Sequence, residues 1–139
     1  MKAIIYAAFC GTGKSYICKR HKGSSDVECW EYRNSKFPDN YINEIKEIHS
    51  MGHMVFISAD PIVLNKLNDL KYNITLIYPD LSLRSEYLDR FISRNSASDF
   101  IGMVMINWEK WLKGLAQLDY CNHIVLQSGQ YLSDVIINY

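Results

Sequence analysis

The chain has 139 residues, 48% of them hydrophobic, which is enough to bury one core and matches the usual size of a single domain. Fifteen basic residues balance fifteen acidic ones at a pI near 6.9, so no global field draws the protein to nucleic acid or to an anionic membrane, and any anion site is local. No stretch approaches the roughly 20 apolar residues of a membrane span, no leader-like segment opens the chain, and Cys10, Cys18, Cys29 and Cys121 lack CxxC pairing, so a reduced, cytoplasmic protein is expected.

In chain order, AIIYAAF (3–9) is a nearly continuous apolar run, the pattern of a strand buried on both faces of a parallel sheet. KSYICKRH beyond it has helical spacing, and a weaker strand follows around Asp26 to Trp30. In PDNYINEIKEIHSMG, Pro38 and Asp39 are start signals, Tyr41, Ile42, Ile45 and Ile48 make a stripe, and Gly52 fits a C-terminal cap. MVFISA (54–59) reads as a strand, DPIVLNKLNDL (60–70) as a helix opened by Asp60 and Pro61, and ITLIYP (74–79) as the next strand. SLRSEYLDRFISRN (82–95) predicts a helix capped by Ser82. The segment 96–118 predicts another, with Ile101, Val104, Met105, Trp108, Leu112 and Leu115 on one face, before a last strand in HIVLQS (123–128). Strands alternating with helices predict one α/β domain over 1–139: a parallel sheet of about five strands with helices on both faces.

Between the first strand and its helix lies AFCGTGKS (8–15), the Walker A pattern with Ala8 in the place of its first glycine. Gly11 and Gly13 permit a tight turn in which the amides of Cys10, Gly11, Thr12, Gly13, Lys14 and Ser15 converge on a phosphate. Lys14 then reaches the β- and γ-phosphates of a nucleotide, and the Ser15 hydroxyl coordinates magnesium. The GTPase signatures fail: Asp99-Phe-Ile-Gly102 and Asn65-Lys-Leu-Asn68 both fall inside helical patterns, and the second lacks its aspartate. LQSGQ (126–130) resembles the signature loop of transporter ATPases, but the chain is too short for their second subdomain, and it reads as the start of a last helix.

Arg84, Arg90 and Arg94 fall in one segment, the last two at i, i+4, and can aim several cations at transferring phosphates. They can equally pair on the surface with Glu86 and Asp89. Asp60, at the end of the third strand, can hold magnesium through water, cap the helix that follows, or do both. Asp26 or Glu28 on the second strand can orient an acceptor or act as base toward a hydroxyl. His49 and His53 lack the pattern of a zinc site and read as surface residues at a helix end. Trp108 reads as core, while Trp30 or Tyr32 can stack a base.

The loop AFCGTGKS, the strand end FISAD, the block YPDLSLRSEYLDRFISRN, the NWEKW helix and the close IVLQSGQYLSD together resemble the small P-loop kinase-like proteins of phages and their bacterial relatives, kin of the nucleoside monophosphate kinases. The resemblance implies a three-layer P-loop NTPase fold with strand order 2-3-1-4-5, a short lid at about 80–97, and ATP and Mg2+ as cosubstrates. It also implies transfer of the γ-phosphoryl group to a ribo- or deoxynucleoside monophosphate, in the cytoplasm of a bacterium or a phage-infected host. By the same likeness Arg90 and Arg94, with Arg84, clamp the phosphates, and Arg33 holds the acceptor phosphate. Two other readings stand beside it: a kinase of polynucleotide 5′-hydroxyls or a small metabolite, and a nucleotide-sensing module without turnover.

Overall fold

Strand β1 (Ile5–Ala8) is the axis of the fold, and three of its four residues are buried because helices cover it on both sides. The computed structural model describes residues 4–20, 24–27, 32 and 34–136. After β1 come α1 (Lys14–Arg20), β2 (Ser24–Val27), α2 (Asp39–Ser50), β3 (Met54–Ser58), α3 (Pro61–Asp69) and β4 (Ile74–Pro79). A 3-10 turn (Leu81–Leu83), α4 (Arg84–Ser93), α5 (Ser98–Ala116), β5 (Asn122–Leu126) and α6 (Leu132–Val135) complete the chain. All five strands pair in parallel in the order β2-β3-β1-β4-β5, with Ile5 in register with Val55 on one side and Ile74 on the other. The alternation of strand and helix patterns in the sequence thus yields an α/β protein with a parallel sheet.

Period-two alternation splits the apolar runs between two packing layers. Ile5, Ala7, Val55, Ile57, Leu76 and Tyr78 meet α2, α3, α4 and α5 on one face. Ala8, Phe56, Ile77 and Leu126 meet Ile17 of α1 and Leu132 of α6 on the other. The stripe Val104, Met105, Trp108, Leu112 and Leu115 is the buried face of α5, and Ile101 lies half-buried beside it.

Local signals act where they stand. Asp60 accepts the Ile62 amide at 2.9 Å and caps α3, and Gly52, at φ 80°, closes α2 by donating to the His49 carbonyl at 3.0 Å. Ser82 is not the cap of α4. Asp80, two residues earlier, accepts the Ser82 amide at 3.0 Å and opens the 3-10 turn, so the helix begins only at Arg84. The expected last strand begins one residue earlier, ends at Leu126, and lies at the sheet edge beside β4 alone, which leaves Val125 39% exposed. Asn65 and Asn68 are inside α3, and Asp99 and Gly102 inside α5, so neither GTPase-like string stands at a strand end.

Ile57 is fully buried at the centre of the larger layer. Ile57→Ala is expected to lower unfolding free energy by about 2–5 kcal/mol in urea denaturation, since the close-packed wall cannot collapse onto the space left. A loss below about 1 kcal/mol would mean that this layer is loosely packed.

Candidate functional site

The carboxyl ends of β1 and β3 open on the same cleft, the position at which parallel α/β sheets bind ligands. From β1 the chain turns through Phe9 to Gly13 into α1. The Phe9 amide still donates to Ile77 at 2.9 Å, as a strand residue would. Thr12, 1% exposed, donates its hydroxyl to the Phe9 carbonyl at 2.7 Å and closes the turn on itself. Gly11 and Gly13 have φ of 81° and 99°, where a side chain is strained. A Cβ on Gly11 would also stand 3.0 Å from Phe91 and 3.1 Å from Tyr87, whose rings are fixed in the core. Ala8 belongs to β1, paired with Ser58 and Ile77, so an alanine there needs no glycine-only conformation.

Beneath the loop lies an aromatic layer. Trp108 meets Phe9 edge to face at 5.6 Å and Tyr87 at 5.4 Å, and donates its Nε1 proton to the Leu81 carbonyl at 2.8 Å. Phe91 meets Phe100 at 5.4 Å. Tyr87 is fully buried, and its hydroxyl is the one buried side-chain polar atom without a hydrogen-bond partner among the described residues. Burial pushes its ionisation far above the usual tyrosine range.

Arg90 fastens this layer to the loop. Its Nη1 donates to the Gly11 carbonyl at 2.8 Å, and its Nη2 donates to the Gln130 carbonyl at 2.9 Å and to Glu86 at 3.1 Å. The guanidinium lies over the rings of Tyr87 at 4.3 Å and Tyr131 at 3.8 Å, and the side chain is 10% exposed. Glu86 in turn accepts the Ser128 hydroxyl and the Gly129 amide, the latter at 2.9 Å. The Ser128 hydroxyl first, then the Gly129 amide and Arg90, hold its carboxyl below the ordinary glutamate range. The turn 127–131 presses the loop from its far side: Leu132 donates its amide to the Thr12 carbonyl at 2.9 Å, and the Tyr131 ring is 3.3 Å from where a Cβ of Gly13 would stand.

The three arginines of this segment therefore have three different surroundings. Arg90 makes the pair with Glu86 that i, i+4 spacing allows, but in a nearly closed network behind the loop. Arg84 is not brought to the loop: its Nε and Nη2 donate to the Met105 carbonyl at 3.2 and 3.0 Å and tie α4 to α5. Arg94, exposed, donates to the Ser96 hydroxyl at 2.9 Å and lies 4.9 Å over the Phe91 ring. Within the segment expected as a lid, Tyr87 and Phe91 are fully buried, so α4 packs against the loop.

Two cavities flank the loop. A cleft of about 1010 Å³ is lined by the loop from Phe9 to Ser15, by Ser58, Asp60 and Arg94, and by Phe100, Lys110 and Trp111 of α5. A smaller cavity of about 550 Å³ lies between Glu86, Asp89, Arg90, Gly129 and Tyr131. The two share Gly11, Gly13 and Arg94. Of the residues expected at a site, Cys10, Gly11, Thr12, Gly13, Lys14, Ser15, Asp60 and Arg94 come together in the larger cleft. Asp26 sits in β2, in register with Phe56, and Glu28, Trp30 and Arg33 lie outside the described residues.

The Ser15 hydroxyl and the Asp60 carboxylate are hard oxygen donors lining one cleft, a donor set that fits magnesium. Among the described residues no group of three or more His, Cys, Asp or Glu is placed to hold a metal by itself. Among those residues, too, no helix is long and apolar enough to cross a membrane. No protein-family model matches the sequence, and no curated protein matches it significantly.

Sequence reasoning did not find the roles of Glu86, Ser128, Gly129 and Tyr131, nor the α5 wall of the cleft. The spacing of Glu86 and Arg90 signalled their pair. Nothing local to LQSGQY signals contact with a loop more than 100 residues earlier.

Arg90→Ala is expected to destabilise the protein by about 2–3 kcal/mol in urea denaturation, because two carbonyls and Glu86 lose a largely buried charged partner. Arg90→Lys should recover little of this, since an ammonium cannot bridge the same set of acceptors from one plane. The depressed carboxyl of Glu86 stabilises the fold fully above its ordinary value of 4.5, and that contribution is lost as pH falls through the lower folded value. Urea titrations at pH 7 and at pH 3 should therefore differ less in Glu86→Gln than in the wild type. Tyr87→Phe removes an unpaired buried hydroxyl and is expected to leave stability unchanged or raise it by about 1 kcal/mol, read as an increase in Tm.

Proposed function

We propose that this chain is a P-loop phosphotransferase that moves the γ-phosphoryl group of ATP, held with Mg2+, onto a nucleoside monophosphate. The observation that carries the reading is the junction of the two cavities at Gly11, Gly13 and Arg94, from which a phosphate chain held by the loop would be reachable on both sides. The parallel sheet with its glycine loop after the central strand fits the P-loop NTPase fold.

In this mechanism the amides of Gly11 to Ser15 hold the β-phosphate, and Lys14 spans the β- and γ-phosphates. Ser15 and Asp60 would hold the magnesium ion, which neutralises charge across the phosphate oxygens when bound. The acceptor oxygen approaches along the larger cleft, in line with the bond to be broken. Arg94, at the junction, neutralises charge as the phosphoryl group passes from one oxygen to the other. Arg90 acts through the loop, by fixing the Gly11 carbonyl away from the phosphates, and Arg84 holds α4 on α5. Positioning and electrostatics do the catalytic work, as phosphoryl transfer requires.

A coupled ADP-release assay with ATP, magnesium and a panel of ribo- and deoxynucleoside monophosphates tests this. Release should depend on one or a few of the monophosphates and vanish in Lys14→Ala. Arg94→Ala should lose roughly 10²–10³-fold in kcat while affinity for a fluorescent ATP analogue stays near the wild-type value. Tight ATP binding with no stimulated release across the panel would overturn the assignment of the acceptor, and absent ATP binding would overturn the whole reading.

A further inference from the structure

The larger cleft has a wall that the phosphate chemistry does not use. Along α5, Phe100, Trp111, Gly114 and Leu115 line it together with the loop and Asp60. Leu115 is buried, whereas Phe100 and Trp111 are half-buried and present ring surface to the cleft. Gly114 stands in the interior of a 19-residue helix, where glycine costs stability, and a Cβ there would meet nothing within 4 Å. Its absent side chain leaves open space at the cleft, three residues along the helix from Trp111.

Charge is arranged to match. Lys113 is tied to Glu109 at 2.6 Å, while Lys110, on the cleft side of the same helix, enters no ion pair among the described residues. With Arg94 it puts two exposed cations on the cleft that the α5 rings also line. Two aromatic rings beside two cations suit a planar aromatic anion, which can stack and be charge-paired at once. The volume of about 1010 Å³ lies at the upper end of small-molecule sites, which run to roughly 1,000 Å³, so there is room for a second ligand beside a phosphate chain.

We infer that this wall of α5 is the acceptor subsite, in which Trp111 stacks a nucleobase in the space left by Gly114 while Lys110 and Arg94 hold the anionic group of the same molecule. The inference rests on the phosphotransferase reading and adds its specificity: the acceptor is a planar aromatic anion, selected by α5. Stacking on one aromatic side chain changes affinity by roughly tenfold or more, and ATP, held by the loop, does not depend on it.

The experiment is equilibrium dialysis of labelled purine and pyrimidine monophosphates against the full chain, with a fluorescent ATP analogue titrated in parallel. Trp111→Leu should weaken monophosphate binding roughly tenfold, and Trp111→Phe should restore most of it. Gly114→Leu, a substitution that favours the helix and fills that space, should block monophosphate binding while raising Tm. ATP-analogue affinity should stay within about threefold throughout, a change below the tenfold step of about 1.4 kcal/mol. Monophosphate binding unaffected by Trp111→Leu and Gly114→Leu, or no saturable monophosphate binding at all, overturns the subsite even where the ATP analogue binds in a Lys14-dependent way. Loss of that Lys14 dependence would instead overturn the underlying reading.

Discussion

The hydrogen bond from Arg90 to the Gly11 carbonyl fixes the loop on which everything else depends. A glycine turn is permissive by nature, and two residues at positive φ would sample many shapes in a free peptide. Here one planar cation reaches the loop, the turn after β5 and a glutamate on its own helix at once, with an aromatic ring on either side. The ordering entropy is thus met by packing that exists for the fold itself, before any ligand arrives.

This arrangement also divides electrostatic labour. Arg90 and Glu86 cancel as a pair, so the back of the loop is close to neutral despite its guanidinium. Lys14, Arg94 and Lys110, which line the larger cleft, carry the field a phosphate would meet there. A protein with no net charge can in this way gather cations at one cleft without attracting long polyanions at a distance.

Much of the frame was legible in the sequence because the relevant interactions are local. Continuous apolar runs mark strands covered on both faces, Asp60-Pro61 marks a helix start, and the spacing of Val104, Met105, Trp108 and Leu112 marks one buried face. The helix start expected at Ser82 lies instead at Arg84 because Asp80 accepts both the amide and the hydroxyl of Ser82 and draws that residue into a 3-10 turn. The site was legible only where a motif is contiguous. Gly11 to Ser15 form a contiguous string, but which acceptor each arginine meets is decided by the distant segment that lies beside it. Arg84, Arg90 and Arg94 look alike in sequence and end on Met105, Gly11 and Ser96 respectively.

The hold of the β5–α6 turn on Thr12 and Gly13 has a bearing on how the molecule comes into being. The glycine loop precedes the groups that shape it, Arg90, Tyr131 and the Leu132 amide, by about 80 to 120 positions, so it is synthesised before any of them. A growing chain therefore lacks the contacts that shape this loop until β5 is seated at the sheet edge, and the loop's order reports that the distant segments have closed on it.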